Sequence, residues 1–182
     1  MKNDDAQKRR RWRWVLHIFL MSVVLSALLS FVSGVALEDA GSVVAVAVLV
    51  LFVLLGIVFD VIGVAVTAAD PRPFHSMASH RTPGAKEALC LLKNAERVAS
   101  FCNDVVGDIC GIVSGSTAAV IVTRLRASFG WGSILVSIAV TALISGLTIG
   151  GKAIGKGYAM RRSKQVVYAV AKVLHLFHFG KK

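Results

Sequence analysis

Charged residues are scarce in this chain, and acidic residues are the scarcest of them. Only 17% of the 182 residues are charged, against about 25% in average soluble proteins. Ten Asp and Glu residues stand against 21 Lys and Arg, which gives a formal net charge of +11. Proline and cysteine occur three times each, and the cysteines lack the spacing of a metal site. This composition excludes a disordered chain, a disulfide scaffold and an ordinary nucleic-acid-binding domain.

Long uncharged stretches are what the sequence contains instead. Hydrophobic residues make up 55% of the chain, and the mean hydropathy is +0.70. Each stretch reaches or approaches the roughly 20 residues that cross a membrane as a helix. We therefore predict an all-α integral membrane protein with four transmembrane helices packed as one bundle. The predicted spans lie within residues 15–37, 41–69, 98–122 and 131–151.

The basic residues are concentrated in three places: the N-terminus, the connection between spans 2 and 3, and the C-terminal tail. Together these hold nineteen of the 21 Lys and Arg residues. The positive-inside rule places all three on the cytoplasmic side. We expect a multi-pass protein of the cell (plasma) membrane with both termini cytoplasmic and with anionic lipids as partners at that face. A homodimer is a candidate assembly. Nucleic acid is not an expected partner, because the basic residues flank spans and aromatic stacking platforms are lacking.

Three carboxylates interrupt the apolar stretches: Asp60 in span 2, and Asp104 and Asp108 in span 3. An Asp at the bilayer centre costs roughly 2.5–3.5 kcal/mol on insertion scales, so each one needs a partner or a role. A rise of about 1.5 Å per residue places all three at a similar depth, with Asn103 beside them. Carboxylate and amide oxygens are the hard ligands that Mg²⁺ prefers. We predict a cation site formed by Asp60, Asn103, Asp104 and Asp108.

Two other interpretations of these carboxylates stay open. Lys152, at the foot of a Ser and Thr stripe in span 4, is a candidate charge partner in a static internal salt bridge. Asp60 and Asp108 on adjacent spans also suggest an intramembrane aspartyl protease. The sequence Val-Val-Gly-Asp that ends at Asp108 lacks the first glycine of the Gly-x-Gly-Asp motif of such proteases. We therefore predict that the protein is not an enzyme.

Two amphipathic segments are predicted to lie on the inner membrane surface. In the connection between spans 2 and 3, Thr82 and Pro83 predict the N-cap and first position of a short helix over residues 84–93. A second helix start follows at Asn94. In the tail, residues 163–180 alternate apolar and basic side chains at helical spacing.

Several short motifs follow one another in and after this connection. They are Gly84-Ala-Lys-x-Ala-Leu, Leu91-Leu92, Asn94-Ala-Glu-Arg97, Asn103-Asp104 and, further on, Gly151-Lys-Ala-Ile-Gly-Lys156. Over about residues 50–180 the chain resembles the transmembrane domain of the CNNM/CorC family of magnesium and cobalt transporters. The resemblance implies a three-helix core, a surface helix hairpin after its first span and a central Mg²⁺ site coupled to export. Residues 1–40 are then an added basic N-terminus and helix, and residues 41–182 the family-like domain with its C-terminal amphipathic helix.

The resemblance also implies roles for single residues. Asn103 matches a polar cation-site position, and Asp104 replaces an Asn beside it. Asp60 and Gly63 fall on the first Ser and the Glu of the family's Phe-Ser-Gly-Ser-Glu motif. Lys152 stands where the family's Gly-Glu-Ile-Ile-Pro-Lys motif has its acid.

Two functions follow from this mixture of matches and departures. One is transport of Mg²⁺ or another divalent cation through the intramembrane carboxylate site. The alternative is a non-transporting accessory or structural membrane subunit in which Lys152 replaces the bound cation. An ammonium that titrates among carboxylates would instead make a proton-coupled carrier.

Overall fold

The computed structural model describes residues 2–38, 41–129 and 134–179, and these residues form helices joined by short connections. One segment is a π-helix, in which backbone bonds run from i to i+5, and it is called the π segment below. In chain order the elements are α1 (Lys2–Glu38), α2 (Ser42–Ala68), α3 (Arg72–Ser79), α4 (Ala85–Lys93), α5 (Ala95–Ser100), the π segment (Phe101–Gly107), α6 (Asp108–Phe129), α7 (Ile134–Arg161) and α8 (Ser163–Phe179).

Within the residues that the structure describes, four helical stretches are long and apolar enough to cross a membrane. With 27 residues at about 1.5 Å each, α2 exceeds the roughly 30 Å of a hydrocarbon core. This confirms the predicted all-α membrane protein with four transmembrane helices. The side of the membrane on which each terminus lies stays a prediction. The stretches are Trp14–Val35, Ser42–Ala68, Ala95–Leu125 and Ser137–Arg161.

The central helix of the bundle is α2, which packs against α5, the π segment, α6, α7 and α8. By contrast, α1 contacts mainly α6, and the hydroxyls of Ser33 and Thr117 lie 3.3 Å apart across that contact. Most of the apolar side chains of α1 are exposed, as at Phe31. The first helix is therefore peripheral to a core built on α2. The domain boundary between residues 40 and 41 stays a prediction.

A second apolar core joins the short helices to the end of α2. Phe74 of α3 is fully buried there, with Val66 of α2 and Val167 of α8 around it. Helix α8 packs on α4 as well as on α2. The two predicted amphipathic segments therefore exist as helices, and they form one layer at the end of the bundle where α2 finishes.

The predicted start of the short helix at Thr82 and Pro83 is wrong. Helix α4 begins at Ala85, whose N–H donates to the Thr82 carbonyl at 3.2 Å, so Thr82–Ala85 is a turn. Gly84 has a φ of 83°, in the left-handed region that glycine adopts without steric cost. Proline at position 83 therefore lies in this turn rather than in the first helical turn. The second start is confirmed, because α5 begins directly after Asn94.

The fourth span does not end at Gly151 as predicted. Helix α7 continues to Arg161 and carries Lys152 and Lys156 within it. The helix tolerates Gly151 and Gly155 because both lie against α2, where a Cβ at Gly155 would come within 2.7 Å of Val61 Cγ2. The predicted start of this span at Trp131 lies outside the described residues.

Candidate functional site

Asp60 is the buried acid of the central helix. Only 5% of its surface is exposed, and its Oδ2 atom lies 3.5 Å from Nζ of Lys156 on α7. The two groups form an ion pair, but Oδ2 has no hydrogen-bond partner because the geometry falls outside hydrogen-bond limits. The Lys156 side chain is 49% exposed. A long, half-exposed ammonium therefore compensates the charge of Asp60 without satisfying the hydrogen-bonding capacity of its carboxylate.

Asn103 packs against the same helix at Gly63. It lies in the π segment, and its Oδ1 is buried with no hydrogen-bond partner. That oxygen packs so closely on Gly63 that a Cβ built there would collide with it. Gly63 is one turn after Asp60 on α2, and both are buried, so the two residues share a face. Two buried oxygens without hydrogen bonds therefore lie along one face of α2.

Lys152 brings a second ammonium to this region. Its Nζ would be 3.9 Å from a Cβ built at Gly107, the last residue of the π segment. Lys152 and Lys156 are one turn apart on α7, so they share a face that reaches both the π segment and α2. We call Asp60, Asn103, Lys152 and Lys156 the polar cluster. Its formal charge is +1, from one carboxylate and two ammonium groups.

Asp104 and Asp108 are not in the polar cluster. Both side chains are exposed, on a face of the π segment and α6 where Gly111 and Gly115 have nothing within 4 Å. Within residues 2–38, 41–129 and 134–179, no three His, Cys, Asp or Glu side chains come together in a way that could hold a metal. The structure therefore divides the four predicted ligands, with Asp60 and Asn103 on one interface and Asp104 and Asp108 outside it. Asp60 is buried and Asp108 is exposed, so the two carboxylates lie in different environments.

Similar depth along the spans does not bring the carboxylates together, because depth says nothing about direction around the helix axis. The buried face of the π segment and α6 carries Cys102, Val105, Val106 and Ile109, and that face meets α2. Asp104 and Asp108 alternate with these buried residues, so their side chains point away from α2. The π-helical turn also changes the number of residues per turn immediately before α6.

Lys156 is the functional candidate that the sequence-based reasoning did not select. The signal for it is its position four residues after Lys152, on the same helix face, once α7 is continued beyond Gly151. Ending the span at Gly151 placed Lys156 in the tail. The ion pair that the structure shows for Asp60 is thus with Lys156, and Lys152 lies beside Gly107 instead.

Comparison with known proteins assigns the chain to a family. Residues 48–179 match the family model described as the cyclin M (CNNM) transmembrane N-terminal domain. Neither the curated proteins nor the solved structures gave a significant match. The matched range includes all of the polar cluster and most of α2, together with α3 to α8. The chain therefore belongs to the cyclin M (CNNM) transmembrane N-terminal domain family.

Proposed function

We propose that this protein moves a divalent cation, Mg²⁺ foremost, through its membrane domain, with Asp60 and Asn103 as the first oxygen ligands. Membership in the CNNM domain family connects the chain with divalent-cation transport in membranes and with a transporter-type domain rather than a class of enzymes. The observation that carries the finer proposal is the pair of buried oxygens, Asp60 Oδ2 and Asn103 Oδ1, that have no hydrogen bond.

A cation would supply the interaction that these oxygens lack. Leaving a buried polar group without a partner costs about 1–3 kcal/mol. Carboxylate and amide oxygens are hard ligands, and Mg²⁺ is commonly bound by one or two protein carboxylates while it keeps several waters. One carboxylate oxygen and one amide oxygen can therefore supply the protein ligands of a Mg²⁺ ion that keeps most of its water ligands.

Lys156 is the group that such a cation would replace. Its ammonium compensates the charge of Asp60, and its side chain is half-exposed on a flexible four-carbon stem. We expect Lys156 to withdraw when the cation binds and to return when it leaves. In this scheme the lysine is a tethered counter-ion that prevents an uncompensated carboxylate inside the membrane.

The second candidate function is a non-transporting subunit, and the Asp60–Lys156 ion pair favours it. In that case a lysine permanently occupies the place of the cation, with Lys156 in the role that the sequence alone suggests for Lys152. The cluster is then a structural feature of the bundle, and Mg²⁺ has no effect on it.

Magnesium flux into liposomes that contain the full-length chain separates the two functions. The transporter predicts Mg²⁺ entry above that of empty liposomes, with most of it lost in Asp60→Asn and retained in Glu96→Gln, an exposed acid outside the cluster. Asp104→Asn and Asp108→Asn then test whether the exposed carboxylates belong to the path. Absence of flux in the wild type, with flux gained in Lys156→Gln or Lys152→Glu, would establish the subunit instead. Each variant is first checked for a cooperative unfolding transition.

A further inference from the structure

A cavity of about 410 Å³ lies where α2 ends, away from the polar cluster. Its volume is within the range of about 300–1,000 Å³ that is typical of sites for small ligands. The wall combines Val66 and Thr67 of α2 with residues of α3, α4 and α5. The cavity is therefore formed between a membrane-spanning helix and the layer of short helices at its end.

The cavity wall has two chemically different parts. One part is apolar and includes Val66, Leu89 and Leu92. The other carries the ammonium of Lys93 and the imidazole of His75, both on exposed residues. Thr67 adds no free donor, because its hydroxyl already donates to the Val64 carbonyl at 2.9 Å. A ligand that fits both parts has an apolar chain and an anionic head.

The ammonium group of Lys93 can bind the anionic group of such a ligand. Within the described ranges it forms no ion pair. Two exposed acids adjoin lining residues of the cavity: Glu96 follows Ala95, and Asp70 lies between Ala69 and Pro71, where its Oδ1 accepts a hydrogen bond from the Arg72 backbone N–H at 2.9 Å. The Asp70 carboxylate is thus directed to the start of α3, and among the described residues neither acid forms an ion pair with Lys93.

We propose that this cavity binds one anionic phospholipid, with an acyl chain along the apolar wall and the headgroup phosphate at Lys93 and His75. The position of the cavity favours a lipid over a water-soluble anion. Val66 and Thr67 belong to the last turn of a helix long enough to span the membrane, so the cavity lies at the height of the membrane surface. Juxtamembrane lysines attract anionic lipids at that height.

The bound lipid has a structural consequence of its own. Because the cavity joins α2 to α3, α4 and α5, one lipid contacts both the spanning bundle and the surface layer. Occupation of the cavity then stabilises the position of that layer. This inference does not depend on whether a cation crosses the membrane, so the two proposals fail independently.

Native mass spectrometry of the full-length, delipidated chain tests the proposal. Phosphatidylglycerol, phosphatidylcholine and inorganic phosphate are the three probes. We expect one phosphatidylglycerol bound about tenfold or more tightly than phosphatidylcholine, with that preference lost in Lys93→Gln. Lys86→Gln is the matched control, because Lys86 is exposed on the same helix and does not line the cavity. Ala95→Leu, which fills the cavity without a change of charge, is expected to lower occupancy too.

Three results would overturn the lipid site. The first is equal loss of phosphatidylglycerol in Lys93→Gln and Lys86→Gln, which would mean a diffuse surface charge. The second is displacement of the lipid by millimolar inorganic phosphate, which would mean a site for soluble anions. The third is full retention of the lipid in Ala95→Leu. A photoreactive phosphatidylglycerol should in addition crosslink within residues 66–95, and crosslinks confined to other helices would also contradict the proposal.

Discussion

Gly63 has no Cβ, and this leaves the space on α2 that the side-chain amide of Asn103 occupies. A Cβ at this residue would collide with Asn103 Oδ1 and come within 2.7 Å of Cγ. The resemblance described for the sequence motifs implies Glu at the position of Gly63. Since the Asn103 amide fills the space next to α2, an acid cannot occupy the same place without moving Asn103.

We predict that Gly63→Ala lowers the free energy of unfolding by about 1–3 kcal/mol, the usual cost of overpacking a well-packed interface. Unfolding in detergent micelles, followed by circular dichroism, measures the change. Gly146→Ala is the control, since Gly146 lies on α7 with nothing within 4 Å, and there alanine should be neutral or slightly stabilising. The double variant Gly63→Ala with Asn103→Ala should recover part of the loss. If Gly63→Ala is as stable as Gly146→Ala, the contact is not tight.

Some of the residues in the candidate site could be predicted from the sequence alone, and others could not. Asp60 and Asn103 could be selected from it, because a carboxylate and an amide inside apolar runs are costly and need an explanation. The ion pair between Asp60 and Lys156 could not be predicted from the sequence, because this pair depends on how α7 is rotated and on how far α7 continues. The exposure of Asp104 and Asp108 depends on the π segment, for which no pattern of residues in the sequence gave a signal.

At the scale of elements, α8 is held on the surface layer by two different contacts. The Glu87 carboxylate of α4 and Nδ1 of His175 lie 2.7 Å apart. At the start of α4, a Cβ on Gly84 would be 3.3 Å from the backbone nitrogen of Lys172. The left-handed glycine thus permits close approach of the two helices, and the side-chain pair fixes one end of that approach.

We predict that Glu87→Gln loosens α8. The pair is about a quarter exposed, so a net contribution of about 0.5–1.5 kcal/mol is expected, which corresponds to amide exchange a few times faster in residues 163–179. Hydrogen–deuterium exchange of the intact chain measures this rate. Glu96→Gln removes an exposed acid from α5 and should leave α8 unchanged. Equal effects of the two variants would show that α8 responds to overall charge rather than to this contact.

The sequence predicts which segments form helices better than it predicts the residues at which those helices begin and end. Apolar runs of sufficient length specified the four membrane-spanning stretches, because a single segment can satisfy its own backbone hydrogen bonds within lipid as a helix. The ends at Thr82 and Gly151 were predicted wrongly because they depend on tertiary contacts. Proline at 83 lies in a turn closed by the Ala85 N–H, in which Gly84 is left-handed and packs on Lys172 of α8. Helix α7 passes through Gly151 and Gly155 because they pack on Ile57 and Val61.

At the scale of the whole molecule, the charge has two separate roles. Most Lys and Arg residues flank the spanning helices, and from their distribution the positive-inside rule predicts how the helices are oriented. Lys152 and Lys156 differ, because they lie within α7 and belong to the polar cluster. The acid of the central helix, Asp60, is paired with Lys156, and Asn103 lies against the same helix at Gly63. That is the feature on which transport and static pairing differ.

The most direct test is the Mg²⁺-dependent shift in the unfolding temperature of the intact chain. The wild type is compared with Asp60→Asn, Lys156→Gln and, as a control outside the cluster, Lys164→Gln. A ligand that binds only the native state raises the free energy of unfolding by RT ln(1 + L/Kd), where L is the free ligand concentration, so the effect grows with the Mg²⁺ concentration. We predict that Mg²⁺ raises the unfolding temperature of the wild type and of Lys164→Gln, raises that of Lys156→Gln more at the same concentration, and leaves that of Asp60→Asn unchanged. No rise in the wild type, or the same rise in all four proteins, would contradict a cation site at Asp60.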